Sequence, residues 1–302
     1  MPYIKKEYKT IRNIKIEEFL LNHINITSLN EKLLISLLKK GKIYDENNKR
    51  YQQDQIIKSD FVYVTLFEAR TKNLKPTFQN RYFAIFDKPS GLLVHPTSSS
   101  DCSYTLLDEI KFHLGDDASL VHRIDKETSG LVLVAIDKYS EFILKSLFVE
   151  KTLNDSSKIK KSYLALVNGK VSKDHIIDEA ISSSKGLIKL KMEVNSDGKS
   201  SKTIIEPLKY DSIKNQSLIK AIPITGRQHQ IRVHCDYIGH SIIGDPIYGI
   251  SDSLANDILN KKVKKTQRLM LQAHTLEFEF LGNQYKFKSL LDFFRIKNSP
   301  NS

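Results

Sequence analysis

From residue 81 onward, short apolar runs alternate with polar turns, and this texture constrains the fold more than any other feature of the chain. The runs are "RYFAIF" (81–86), "GLVLVAI" (130–136), "YLALVNG" (163–169), "SLIKAIPI" (217–224) and "TLEFEFLG" (275–282). Each has the length of a strand and is rich in β-branched, aromatic and aliphatic side chains. Helical periodicity interrupts them at 105–113, 139–149 and 228–237, the last also compatible with part strand. Strands that dominate, with helices scattered among them, predict an α+β domain on a mixed, largely antiparallel central sheet with flanking helices. No internal repeat is present.

The first 80 residues have a different texture. In "IEEFLLNHI", Ile16, Phe19, Leu20 and Ile24 recur at helical spacing. "NEKLLISLLKKGK" predicts a second helix, with Asn30 as its cap, Leu33, Leu34, Leu37 and Leu38 as its stripe and Gly41 as its end. "DENNKR" predicts a turn and "FVYVTLF" a closing strand. The expected organisation is a small module over 1–70, a polar linker over 71–80 and a larger domain over 81–302.

Charge narrows the partners. The 302-residue chain carries a net charge of +12. Residues 1–80 hold 15 Lys/Arg against 9 Asp/Glu, a net of +6, so half the excess sits in about a quarter of the length. Such a surplus favours polyanionic partners, chiefly nucleic acid or an anionic membrane surface, and does not by itself choose between them. The only cysteines, Cys102 and Cys235, lack zinc-site spacing and are too few for a disulfide framework. No run approaches the ~18 apolar residues of a membrane span, and the N-terminus lacks a secretory apolar segment. The expectation is a cytoplasmic protein with no membrane association.

Four stretches could carry chemistry. "VHRIDKETSG" (121–130) is a polar loop between apolar segments, with Asp125 at its centre and Arg123 two positions away. Read alone, it favours a polar turn capped by its own Asp over an active-site loop. "TGRQHQIRVH" (225–234) crowds donors beside Gly226. As a strand it aligns Gln230, Arg232 and His234; as a helix it aligns Arg227, Gln230 and His234. Either arrangement suits an anion or a buried carboxylate. His229 and His234 are five apart with no acid between them, which argues against a metal site. "DKPSGLLVHP" (87–96) reads as a proline-stiffened turn too poor in glycine to cradle phosphate. Tyr163 lies just inside an apolar strand, where its ring can stack on a base or simply fill the core.

Taken in order, these stretches resemble the motifs of RNA pseudouridine synthases of the RluA type. "HRIDKETSG", "DKPSGLLVHP", "KSYLALVNG", "TGRQHQIRVHCDYIGHSIIGDPIYG" and "RLMLQAHTLEF" match successive family segments over roughly residues 80–282. Residues 14–66 resemble the small S4-type RNA-binding domain that often precedes this core, with "DENNKR" in place of its short glycine turn. Ser241 stands where proline is usual, and Gln272 where histidine is usual.

The resemblance implies an isomerase that converts uridine to pseudouridine in structured RNA. The C1′–N1 bond breaks, the uracil rotates, and C5 joins C1′. No redox step occurs, so no cofactor or metal is expected. Asp125 would act at the ribose, as nucleophile at C1′ or as base at C2′. A guanidinium would hold it charged and oriented; motif position makes that Arg232, with Arg227 as second choice. Tyr163 would pack on the uracil, Leu271 would close the base pocket, and Arg123 would help fill the space vacated by the flipped nucleotide. His122 and Thr128 beside Asp125, and Arg227, His229 and Gln230 beside Arg232, complete the expected substrate-binding set. The expected substrate is large-subunit ribosomal RNA and the expected state a monomer. Alternatives are a transfer-RNA pseudouridine synthase and a non-catalytic RNA-binding protein on the same fold.

Overall fold

The computed structural model describes residues 3–24, 31–67, 70–96, 103–153, 159–264 and 267–294. The chain divides into two compact units, Met1–Thr71 with His95–Asp108, and Lys72–Val94 with Glu109–Ser302. Among the described residues, no helix is long and apolar enough to cross a membrane.

In the first unit, β1 (Tyr3–Lys9) precedes α1 (Ile16–His23), α2 (Glu31–Lys39), β2 (Ile43–Tyr44) and β3 (Phe61–Phe67). The three strands form an antiparallel sheet in the order β1-β3-β2. Ile16, Phe19, Leu20 and Ile24 pack with Leu38, Ile43, Val62 and Val64 in one core, as the helical spacing required. The α2 end follows from Gly41. Its φ of +61° lets the Lys42 amide reach the Leu37 carbonyl and the Gly41 amide the Leu38 carbonyl, a Schellman closure. The expected Asn30 cap lies outside the described residues, as do the side chains of Leu33 and Leu34. Asp45 Oδ1 accepts the Asn47 and Lys49 amides and closes the "DENNKR" turn. β1 was not anticipated from sequence. "YIKKEYK" is lysine-rich and becomes a strand only by pairing with β3, from Lys9↔Phe61 to Tyr3↔Phe67.

The second unit is built on a ten-stranded sheet. In chain order its parts are β4 (Phe78–Gln79), β5 (Phe83–Lys88), α3 (Leu106–Leu114, of which the residues from Glu109 on belong to this unit), β6 (Ser119–Leu120), β7 (Ser129–Ala135), α4 (Lys138–Leu153) and β8 (Ile159–Asn168). There follow β9 (His175–Asp178), β10 (Ile181–Ser183), β11 (Met192–Val194), β12 (Lys202–Asp211), β13 (Gln216–Pro223), α5 (Gln230–Tyr237), α6 (Asp252–Leu259), β14 (Leu271–Phe280) and β15 (Asn283–Lys288). The strand order is β4-β5-β7-β14-β8-β13-β12-β9; β15 also pairs with β14, β6 with β7, and β10 with β11 apart. All the sheet's pairings are antiparallel except β7 with β14. The stretch 71–80 is not wholly linker, because Phe78 and Gln79 pair with Ile85 and Ala84.

Two apolar layers flank the sheet. Leu144 and Leu147 of α4 pack with Phe83, Leu131, Leu133 and Phe278. Ile231 and Cys235 of α5 pack with Tyr163, Ala165, Ile219 and Leu271. Each fully buried aliphatic or aromatic side chain contributes about 1.5–3 kcal/mol. The α5 layer therefore fixes the helix, and with it every polar side chain on its opposite face.

Candidate active site

The loop 121–128 leads into β7 at the centre of the sheet. Its turn is closed by the Thr128 amide, which donates to the Asp125 carbonyl at 3.2 Å. Gly130 then enters β7 with φ +106°, and a Cβ there would lie 2.2 Å from the Ala273 carbonyl oxygen. Glycine is needed because β14 runs that close.

A second segment grips the loop from outside. Lys88 is wholly buried. Its ammonium donates to the carbonyls of Pro89 (3.0 Å), Leu92 (2.7 Å) and Lys126 (2.9 Å). Ser90 Oγ donates to the Glu127 carbonyl at 2.6 Å, and the Gly91 amide to the Lys126 carbonyl at 2.9 Å. Burial pushes Lys88 down to about 7, against the opposing charges of Glu127 and Asp125. Three carbonyls also match the three N–H bonds of an ammonium. The "DKPSGLL" turn is thus a clamp on the residues that follow Asp125, a role its sequence did not disclose.

Arg232 approaches Asp125 from α5. Its Nη1 donates to Asp125 Oδ2 at 3.2 Å, with 3% of the arginine side chain and 28% of the aspartate side chain exposed. Two further donors go to Asp245, Nε to Oδ2 at 2.7 Å and Nη2 to Oδ1 at 2.8 Å. Asp245 Oδ1 also accepts the Ile247 and Tyr248 amides at 2.9 and 3.1 Å. Burial alone would lower the pKa of Arg232; the Asp245 hydrogen bonds and the charges of Asp245 and Asp125 outweigh it and raise the pKa. The Tyr248 ring lies under the guanidinium, 5.0 Å from its carbon. Arg227 does not reach Asp125; its Nε donates to the Ser200 carbonyl at 2.9 Å.

Tyr163 on β8 is 8% exposed and belongs to the α5 layer. Burial, then the charge of Asp125, raises its pKa, so the phenol stays protonated at neutral pH. His122 and Ala273 line a small crevice with it. Leu271 pairs with Ala165, two residues along the ladder from the Tyr163↔Ala273 pair, and is buried in the same layer.

The other expected residues are placed as follows. His122 stacks on Phe148 at 5.1 Å, and its Nε2 accepts the Leu133 amide. Arg123 is exposed and Thr128 is 2% exposed. Gln230 is 4% exposed. Its Oε1 accepts from Thr225 Oγ1 and the Arg227 amide, while its Nε2 donates to the Lys202 carbonyl and Thr203 Oγ1. The amide is spent on anchoring α5 to β12, as is the imidazole of His234, held between Thr203 Oγ1 and the Glu179 carbonyl. His229 sits at the N-terminal edge of α5 with φ +55°, its Nδ1 3.0 Å from the Tyr248 hydroxyl. Burial, then the charge of Arg232, pushes it down to about 4.

A carboxylate, a guanidinium locked against it, a protonated phenol and a neutral imidazole therefore converge on one part of the second unit. Asp245 and Tyr248 are the contributors that sequence reasoning missed. Both lie in "GDPIYG", whose place in the motif order was visible but whose role was not.

Residues 82–237 match the family described as RNA pseudouridylate synthase. The chain is 36% identical over 293 residues to an uncharacterised RNA pseudouridine synthase of Helicobacter pylori (strain J99), covering 96% of each chain. It is 30% identical over 291 residues to the ribosomal large subunit pseudouridine synthase C of Haemophilus ducreyi, covering 88% of this chain and 84% of that one. Its fold is similar to that of human RNA pseudouridylate synthase domain containing 1, with a TM-score of 0.59 at 24% identity over 74% of this chain and 85% of that one.

Proposed function

Since the chain belongs to the RNA pseudouridylate synthase family, isomerases that turn uridine in RNA into pseudouridine, we propose that Asp125, Tyr163 and Arg232 carry the reaction and that its substrate is large-subunit ribosomal RNA. The observation that carries the assignment is the Asp125–Arg232 contact at 3.2 Å, made by an arginine whose Nε and Nη2 are held by Asp245. Asp125 acts at the ribose of the extruded nucleotide, as nucleophile at C1′ or base at C2′. Arg232 holds its carboxylate in place. Tyr163 packs against the uracil and can shuttle the C5 proton, and Leu271 closes the pocket behind it. Thr128 and His122 shape the loop and its flank, and Arg123 supports the RNA around the flipped nucleotide.

The relative named for the ribosomal large subunit and the net charge of +12 support ribosomal RNA. We further infer a cytoplasmic monomer in which residues 1–70 form an S4-like RNA-binding module, supported by the net +6 of residues 1–80.

The test is Asp125→Asn. The variant should fold, bind RNA and form no pseudouridine; wild-type turnover by it would overturn the assignment. Pseudouridine mapping of total RNA from cells with and without the gene tests the substrate. Loss of a signal in large-subunit ribosomal RNA is expected, whereas loss confined to transfer RNA would transfer the proposal to that substrate.

A further inference from the structure

The Tyr248 hydroxyl is buried and has two neighbours. It accepts the Met192 amide at 2.9 Å and lies 3.0 Å from His229 Nδ1. Tyr248 is 3% exposed, and its single O–H bond needs an acceptor. Nδ1 is the acceptor the structure offers, so the tyrosine donates and the histidine accepts. A neutral imidazole that accepts at Nδ1 carries its proton at Nε2. That nitrogen makes no hydrogen bond among the described residues, and it is not enclosed by the protein. The ring stands within electrostatic reach of Arg232, Asp125 and Asp245. Its backbone is in the left-handed region, φ +55°, which a residue without glycine's freedom adopts at some cost. Such strain is stored where a side chain must be aimed.

We propose that His229 is a substrate-contacting residue: held by Tyr248 as the Nε2–H tautomer, it donates a hydrogen bond to a carbonyl oxygen of the extruded uracil. This rests on the functional reading above and deepens it. A neutral N–H suits a neutral carbonyl, whereas a cation there would compete with Arg232 for Asp125. Tyr248 is then a positioning residue that acts through His229. The groups facing the imidazole are Arg232 from α5, Asp125 from the 121–128 loop, and Asp245 and Tyr248 from the segment before α6. With the ring kept neutral by burial and by Arg232, the contact persists across neutral pH.

The experiment measures single-turnover pseudouridine formation, and RNA affinity separately, on ribosomal RNA isolated from cells lacking the gene. His229→Leu should lose about tenfold in rate, the worth of one net hydrogen bond, with RNA affinity within about twofold of wild type. His229→Gln, whose amide can still donate, should recover most of the rate. Tyr248→Phe should move the acid limb of the rate–pH profile upward, because the released Nδ1 becomes easier to protonate. A wild-type rate in His229→Leu overturns the inference. So does equal loss in His229→Leu and His229→Gln with lowered melting temperatures, which assigns the ring to structure alone. Wild-type protein that forms no pseudouridine on any cellular RNA overturns the functional reading and takes the inference with it.

Discussion

Arg232 must place its donors in an almost dry site, and it does so unequally. Two go to Asp245 and one reaches Asp125. The buried partner restrains the guanidinium, and the more exposed carboxylate receives a donor whose direction is already set. Asp245→Asn removes the charge that offsets the buried cation, so it should destabilise the protein by about 3–5 kcal/mol in denaturant unfolding. Pairing it with Arg232→Met should recover a large part of that loss, since no buried charge is then left alone; a double variant as unstable as the sum of the singles would contradict this. At this scale the sequence carried Asp125 and the matching Arg232 by motif order. It could not carry Asp245, because "GDPIYG" contains nothing to show that its aspartate folds back 13 residues to meet an arginine on a helix.

The elements hold the loop that bears Asp125 from two sides. On one side β7 enters the sheet against β14, the single parallel pairing, with Gln272↔Ser129 and Ala273↔Gly130 in register. Gly130→Ala forces a Cβ to within 2.2 Å of the Ala273 carbonyl at a φ of +106°, so it should cost roughly 2–4 kcal/mol by chemical denaturation and lower the activity of whatever folds. On the other side stands the Lys88 clamp. Its folded pKa, about 7, lies below the ordinary 10.5. Between those values the unfolded chain binds the extra proton, so stability rises with pH across that window and is flat below it. Melting curves of wild type and Lys88→Met should therefore diverge in slope above about pH 7, the wild type gaining more. The two departures from the family pattern are also absorbed at this scale. Ser241 Oγ donates to Asp236 Oδ1 at 2.6 Å, and the Gln272 amide donates to the Leu291 carbonyl at 2.9 Å while its Oε1 faces His274 Nδ1 at 3.1 Å.

For the whole molecule, the net charge of +12 makes RNA affinity a matter of counter-ion release. If about five phosphates are contacted, raising salt from 50 to 200 mM should weaken binding roughly 100- to 500-fold in a filter-binding titration. A salt-independent affinity would contradict an electrostatic footprint. The sequence by itself determined the strand-dominated α+β class and the helices at 105–113, 139–149 and 228–237 to within a few residues, and it singled out the segments that meet at the candidate site. These are local properties: periodicity, apolar run length and residue order along the chain. Only the tertiary structure decided that α5 turns Gln230 and His234 inward to β12 while turning Arg232 toward Asp125. It alone added β1 to the first unit's sheet, closed the Lys88 cage and brought the Tyr248 hydroxyl to His229 Nδ1. Each of these depends on groups distant in sequence meeting at hydrogen-bond range, and no local pattern of side chains encodes such a meeting.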